Sequence, residues 1–141
     1  MILIPQIATA LVIGVFYYMV AVALFVYDEP LSIIFQPIIG LIITGLAIGP
    51  CLVVGLPIRL SKKINETWKK KWWISFVIGS LGFVLMAMSV MKGNQIEVYD
   101  SYLKQNVMTL NSRLSISGFL ITIFAVIHFY PPWIQEANKS E

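Results

Sequence analysis

Charge is what this sequence has least of. Of its 141 residues 12% are Asp, Glu, Lys or Arg, about half the share usual in a soluble domain. A water-facing globular surface cannot be covered from that supply. There is one cysteine, Cys51, so no internal disulfide and no CxxC metal or redox site can form. There is one histidine, His128, which excludes a paired-imidazole haem site and a His-based metal cluster. No Gly-rich phosphate loop, Walker-type motif or Ser/His/Asp arrangement occurs. Glu97 and Asp100 have no nucleophile or metal ligand spaced to work with them. These absences lead to the expectation of a non-enzymatic protein without cofactor or metal.

What fills the chain instead is apolar: 58% of residues are hydrophobic and 13% aromatic. The apolar residues gather in four runs, near 6–27, 31–56, 72–91 and 110–130, each close to the roughly 20 residues a transmembrane helix needs. No Asp, Glu, Lys or Arg lies inside them beyond Arg113 at the start of the last. Since ionisable groups in a membrane usually mark ion pathways or proton relays, this counts against a pump or coupled transporter. A passive pore remains open. The first run has a rival reading as a secretory signal, because Ala21-Val22-Ala23 resembles a cleavage site. However, no Lys or Arg precedes the apolar stretch and the stretch continues past that point, so a retained span is expected.

The connections have distinct characters. Asp28-Glu29-Pro30 is a short acidic turn, fit for an antiparallel hairpin. The 59–71 loop carries Arg59, Lys62, Lys63, Lys69, Lys70 and Lys71, six of the ten basic residues, with one acid, Glu66. Within it Leu60, Ile64, Trp68 and Trp72 recur every four residues, the pattern of a short interfacial helix with Trp at headgroup depth. The 92–113 segment is polar, but Ile96, Tyr99, Leu103, Val107 and Leu110 keep 3-4-4-3 spacing, which predicts an amphipathic outer helix. Pro131-Pro132 ends the fourth run, Trp133 is a further interface anchor, and 134–141 is expected to be a mobile tail.

Charge bias orients the whole. The first turn has no basic residue and the 92–113 segment has three, so the 59–71 loop and both termini are expected on the cytoplasmic side, in a bacterial inner membrane. Lys62, Lys63, Lys69, Lys70 and Lys71 are then candidates for anionic headgroups, although setting topology is a sufficient role for them. Nucleic acid is not an expected partner, because the basic residues come without a reader motif.

The packing signal lies in the small residues. On a helical wheel Gly40, Thr44, Ala47, Cys51 and Gly55 fall within about 80° of one another. Gly45 and Gly49 form a second small pair on the opposite side, at the spacing that lets helices touch in lipid. The second run is therefore expected at the centre of the assembly, with Gly45 and Gly49 free for a partner. Stripes of Ala10, Gly14, Tyr17 and Ala21, of Ser75, Gly79, Gly82, Met86 and Ser89, and of Ser115, Gly118, Thr122 and Ala125 complete the set. Tyr17, Tyr18, Thr44 and Thr122 fall at similar depth. They are candidates either for interhelical hydrogen bonds or for lining a midplane cavity. Pro50 is the expected bend of the second helix and Pro37 its transition from an interfacial turn. His128 reads as an interfacial imidazole touching headgroups or backbone, with pH sensing as the alternative.

The resulting fold class is an all-α integral membrane protein, 1–133 forming one antiparallel four-helix transmembrane bundle with a short cytoplasmic interfacial helix and an amphipathic outer segment. The expected function is action through helix association, as a homo-oligomer or as an accessory subunit of a larger membrane complex. A pore made by self-association, favouring anions through its ring of lysines, is the second reading. An immunity, sensor or lipid-handling protein is the third, by analogy of shape alone.

Overall fold

The computed structural model describes residues 3–23, 30–101 and 104–130, without the side chains of 30–34. Asp28, Glu29, Leu103, Pro131, Pro132, Trp133 and the 134–141 tail lie outside the described residues. Helix dominates: α1 (Leu3–Ala23), α2 (Pro30–Val54), α3 (Leu56–Leu60), α4 (Lys62–Lys70), α5 (Trp73–Val90) and α6 (Ser112–Ile127), with strands β1 (Ile96–Asp100) and β2 (Gln105–Thr109) between the last two. Three helices are long and apolar enough to cross a membrane: Leu3–Ala23, Phe35–Val54 and Trp73–Val90. These are compatible with an integral membrane protein. The fourth, α6, has 16 residues and spans roughly 24 Å at 1.5 Å per residue, less than the ~30 Å hydrocarbon layer. It begins two residues later than the apolar run does, because Asn111 stops the strand and caps the helix. The Asn111 Oδ1 accepts from Leu114 N at 3.4 Å, and its Nδ2 donates to Asn94 O at 3.0 Å.

The helices alternate in direction. Gln6, Arg59, Ser75 and His128 meet at one end, here the basic end. At the other, the hairpin end, Asn111 N donates to Ser89 O at 2.9 Å and Tyr18 Oη to Gln36 Oε1 at 2.7 Å. The helix in the middle is α6, which packs against α1, α2 and α5. Its buried face is Ser115, Gly118, Phe119, Thr122, Ile123, Ala125 and Ile127. This corrects the expectation that the second run would be central. Of the two small faces on α2 only one is covered among the described residues: Gly40, Thr44, Ala47, Cys51 and Gly55 are buried, whereas a Cβ at Gly45 or Gly49 would meet none of the described atoms within 4 Å. The helix also continues through both Pro37 and Pro50, so Pro37 starts no new element.

Small residues sit inside and bulky ones outside. Phe16, Leu41, Leu46, Val53, Phe76 and Leu81 are all more than half exposed, an apolar exterior that a soluble monomer avoids. Inside, backbones approach until side chains have no room. A Cβ on Gly82 would stand 2.6 Å from Gly118 O, and one on Gly118 would stand 2.5 Å from Gly82 O. On the other side of α6, a Cβ on Gly14 would collide with Thr44 of α2 and stand 2.8 Å from Ile123 Cδ1. Three helices meet there at one glycine.

The described residues between α5 and α6 form no helix. After α5 a turn closes from Asn94 N to Met91 O at 3.0 Å, with Gly93 at φ 98°, the left-handed region that glycine alone enters freely. The chain then forms an antiparallel hairpin, Ile96 opposite Thr109, Val98 opposite Val107 and Asp100 opposite Gln105. The 3-4-4-3 spacing misled because Ile96 and Val98, like Val107 and Thr109, also alternate with period two. Their β-branched side chains favour strand where no helical partner face is offered.

Gly82→Val is expected to force α5 and α6 apart and lower stability by about 1–3 kcal/mol. Gly79→Ala, whose Cβ would meet only Ala125 Cβ at 3.5 Å, is expected to be nearly neutral. Thermal unfolding in detergent, followed by circular dichroism, compares the two.

Candidate functional site

The basic end holds the densest polar cluster, and its organising feature is the C-terminus of α6. A helix leaves its last four carbonyls without intrahelical partners, and here they point into packed protein. Five side chains from five segments attend to this end. From α3, Arg59 Nη2 donates to Ile127 O at 2.9 Å and to Gln6 Oε1 at 3.1 Å. From α1, Gln6 Nε2 donates to Phe129 O at 2.6 Å. Trp68 Nε1 of α4 donates to His128 O at 2.8 Å and shares its proton with Ser75 Oγ at 3.0 Å. Ser75 Oγ of α5 donates to the same His128 O at 3.0 Å. His128 itself turns Nδ1 back to Phe124 O at 2.9 Å and stacks its ring on Phe124, centroids 4.5 Å apart. A cation at a helix C-terminus is also favoured by the helix dipole.

His128 is fully buried, so the structure corrects the expectation of a headgroup contact and keeps only the backbone one. Its far edge lies against Gly55, where a Cβ would overlap Nε2. Among the described residues neither that nitrogen nor Arg59 Nε has a hydrogen-bond partner. Little in the sequence marks this cluster. From the sequence alone Arg59 belongs with the topology-setting charges, Ser75 with the small-residue stripe of the third run and Gln6 with the start of the first. The available signal was a lone Gln in an apolar run beside an Arg at the end of another, which together satisfy a buried carbonyl.

The four residues at similar depth do not share one space. Thr44 is buried and donates to Gly40 O at 2.6 Å, its own preceding turn. Thr122 likewise donates to Gly118 O at 2.8 Å. Tyr17 Oη reaches across to Ser115 O at 3.1 Å, and its ring lies 5.4 Å from that of Phe119. Tyr18 covers Gly40, where a Cβ would stand 2.8 Å from Tyr18 Cδ1. Tyr17 and Tyr18 line a hollow of about 340 Å³ toward the hairpin end, with Ser115, Phe119, Ile43 and Thr109. Thr122 belongs to a different one. That groove, of about 500 Å³, opens between α1 and α5 over a floor of Thr122, Ala125 and Val126.

Of the glycines singled out for packing, Gly40, Gly82 and Gly118 are in tight contacts, Gly79 in an ordinary one, and Gly45 and Gly49 face outward. Lys62, Lys63, Lys70 and Lys71 are exposed and Lys69 is half-buried, with its Nζ 5.5 Å from the centre of the Tyr130 ring. α4, which carries all of them but Lys71, buries no residue. Comparison with known proteins gives no match: neither a family profile, nor a curated protein, nor a solved structure aligns with this chain.

Arg59→Met is expected to leave Ile127 O and Gln6 Oε1 short of a donor and to cost about 1–3 kcal/mol. Gly55→Ala is expected to destabilise by driving a methyl into His128, and His128→Ala in that background to recover most of the loss. Unfolding midpoints of the single and double variants in one detergent measure both effects.

Proposed function

We propose that this chain is a four-span integral membrane protein that works by helix association, with the outward face of α2 as its contact surface. The helices would form an antiparallel bundle with α3 and α4 at the cytoplasmic membrane surface. Six basic residues on one connection and none on the first turn support that orientation. The observation that carries the association reading is the open seam at Gly45 and Gly49. These two glycines stand in a helix whose other small face is already used, and among the described residues a Cβ on either would meet nothing within 4 Å. They are flanked by Leu41, Ile42, Leu46 and Val53, all more than half exposed. In lipid, burial of apolar side chains drives little, and close backbone approach through Gly-xxx-Gly is a main source of helix affinity. A gap of this kind in a bulky surface fits the ridge of another helix. The other helix belongs either to a second copy or to a larger complex in which this chain is an accessory subunit.

Gly45→Leu combined with Gly49→Leu fills the seam without touching the interior. The expected outcome is a shift to the monomer mass in multi-angle light scattering of the detergent-extracted protein, or loss of co-purifying subunits, with an unchanged unfolding midpoint. An assembly of unaltered mass and composition in the double variant would rule out this face.

A further inference from the structure

The groove between α1 and α5 has properties that neither packing nor helix association accounts for. Its walls are Thr9 and Ile13 on one side and Phe76, Gly79, Ser80 and Phe83 on the other. From Ser75 to Phe83 it runs roughly 12 Å along α5. Every hydroxyl that borders it is already spent: Thr9 on Pro5 O at 2.8 Å, Ser80 on Phe76 O at 2.9 Å, Thr122 on Gly118 O and Ser75 on His128 O. A surface whose hydroxyl protons are all turned inward offers a ligand no hydrogen-bond donor and is otherwise mainly apolar. Its volume of about 500 Å³ is that of a small-ligand pocket.

One end of the groove is different. Phe129 closes it at the basic end, and the Phe129 ring meets that of Trp72 at 6.3 Å. Trp72 follows directly on Lys69, Lys70 and Lys71. Between residues 56 and 75 the one acidic side chain is Glu66. At that end an aromatic pair borders the apolar slot, and Lys70 and Lys71 directly precede Trp72 in the chain, a pairing of features that suits a lipid with an anionic head. We propose that the α1–α5 groove is a binding site for an individual anionic phospholipid, its acyl chain lying over Thr122 and Ala125 and its phosphate beside Lys70 and Lys71. The site rests on the membrane-embedded reading of the chain and is independent of association through α2.

The test uses the full-length protein recovered from the alkali-resistant membrane fraction, a step that fails by itself if the chain is not embedded. It is incubated with equal phosphatidylglycerol and phosphatidylcholine of identical chains and examined by native mass spectrometry. The wild type is expected to retain phosphatidylglycerol preferentially. Lys70→Gln with Lys71→Gln should erode that preference by about fivefold for each lysine while phosphatidylcholine occupancy stays constant. Ser80→Trp, an exposed position on the groove wall, should remove retention of both lipids without moving the unfolding midpoint. Ile13→Trp fills the slot from the opposite wall and serves if the first variant does not fold. Equal retention of the two lipids by the wild type, or undiminished retention with the slot filled, would overturn the site. A changed oligomeric mass without lipid loss would assign the groove to a second copy and overturn it equally.

Discussion

A helix that ends inside packed protein must have its last carbonyls answered by someone else's donors. That constraint organises this molecule. The C-terminus of α6 lies among the other helices rather than in water, and Ile127 O, His128 O and Phe129 O are each met by side chains from elsewhere. The donors come from α1, α3, α4 and α5. Meeting these carbonyls therefore fixes the level of α1, folds α3 back under the assembly and pins α4 across its end. The two short helices of the basic connection are thus tied by hydrogen bonds to the central helix, and charge alone need not hold them to a surface.

The same central helix sets the packing. Because α6 has neighbours on three sides, it cannot carry bulky residues toward all of them. It meets α5 through Gly118 and Thr122, α1 through Ser115 and Gly118 under Tyr17, and the α1–α2 junction through Ile123. The large side chains are consequently pushed to the perimeter, an arrangement compatible with a hydrocarbon surrounding. Where α1 and α5 both lean on α6 without closing on each other, a groove remains. In water such a gap would be a defect. If the chain is embedded as proposed, the same gap faces acyl chains and is the place assigned above to a lipid.

The two surfaces of α2 illustrate how one local pattern serves two ends. Gly40, Thr44, Ala47, Cys51 and Gly55 line the covered side, with Thr44 hydrogen-bonded within its own helix and Cys51 Sγ 3.6 Å from Leu120 O. Gly45 and Gly49 have the same chemistry and face out. Periodicity alone sees two equivalent stripes. Which one is used inside the chain depends on where α6 lies, and α6 sits near the end of the sequence.

Much was determined by the sequence on its own. Long uncharged apolar runs require helices, because a backbone deprived of water must bond to itself. Small residues at helical spacing marked the buried seams of α1, α2, α5 and α6, since a stripe without bulk is what close approach demands. Only the tertiary structure decided the rest. Centrality went to α6 because it is the element that touches the other three. The 92–113 segment became a hairpin because its period-two alternation outweighed a helical spacing that had no face to pack on. Arg59, Gln6, Trp68, Ser75 and His128 became one cluster only when four segments distant along the chain converged on a single helix end. Spacing along the chain reports which residues share a face, but it carries no information about which faces will meet.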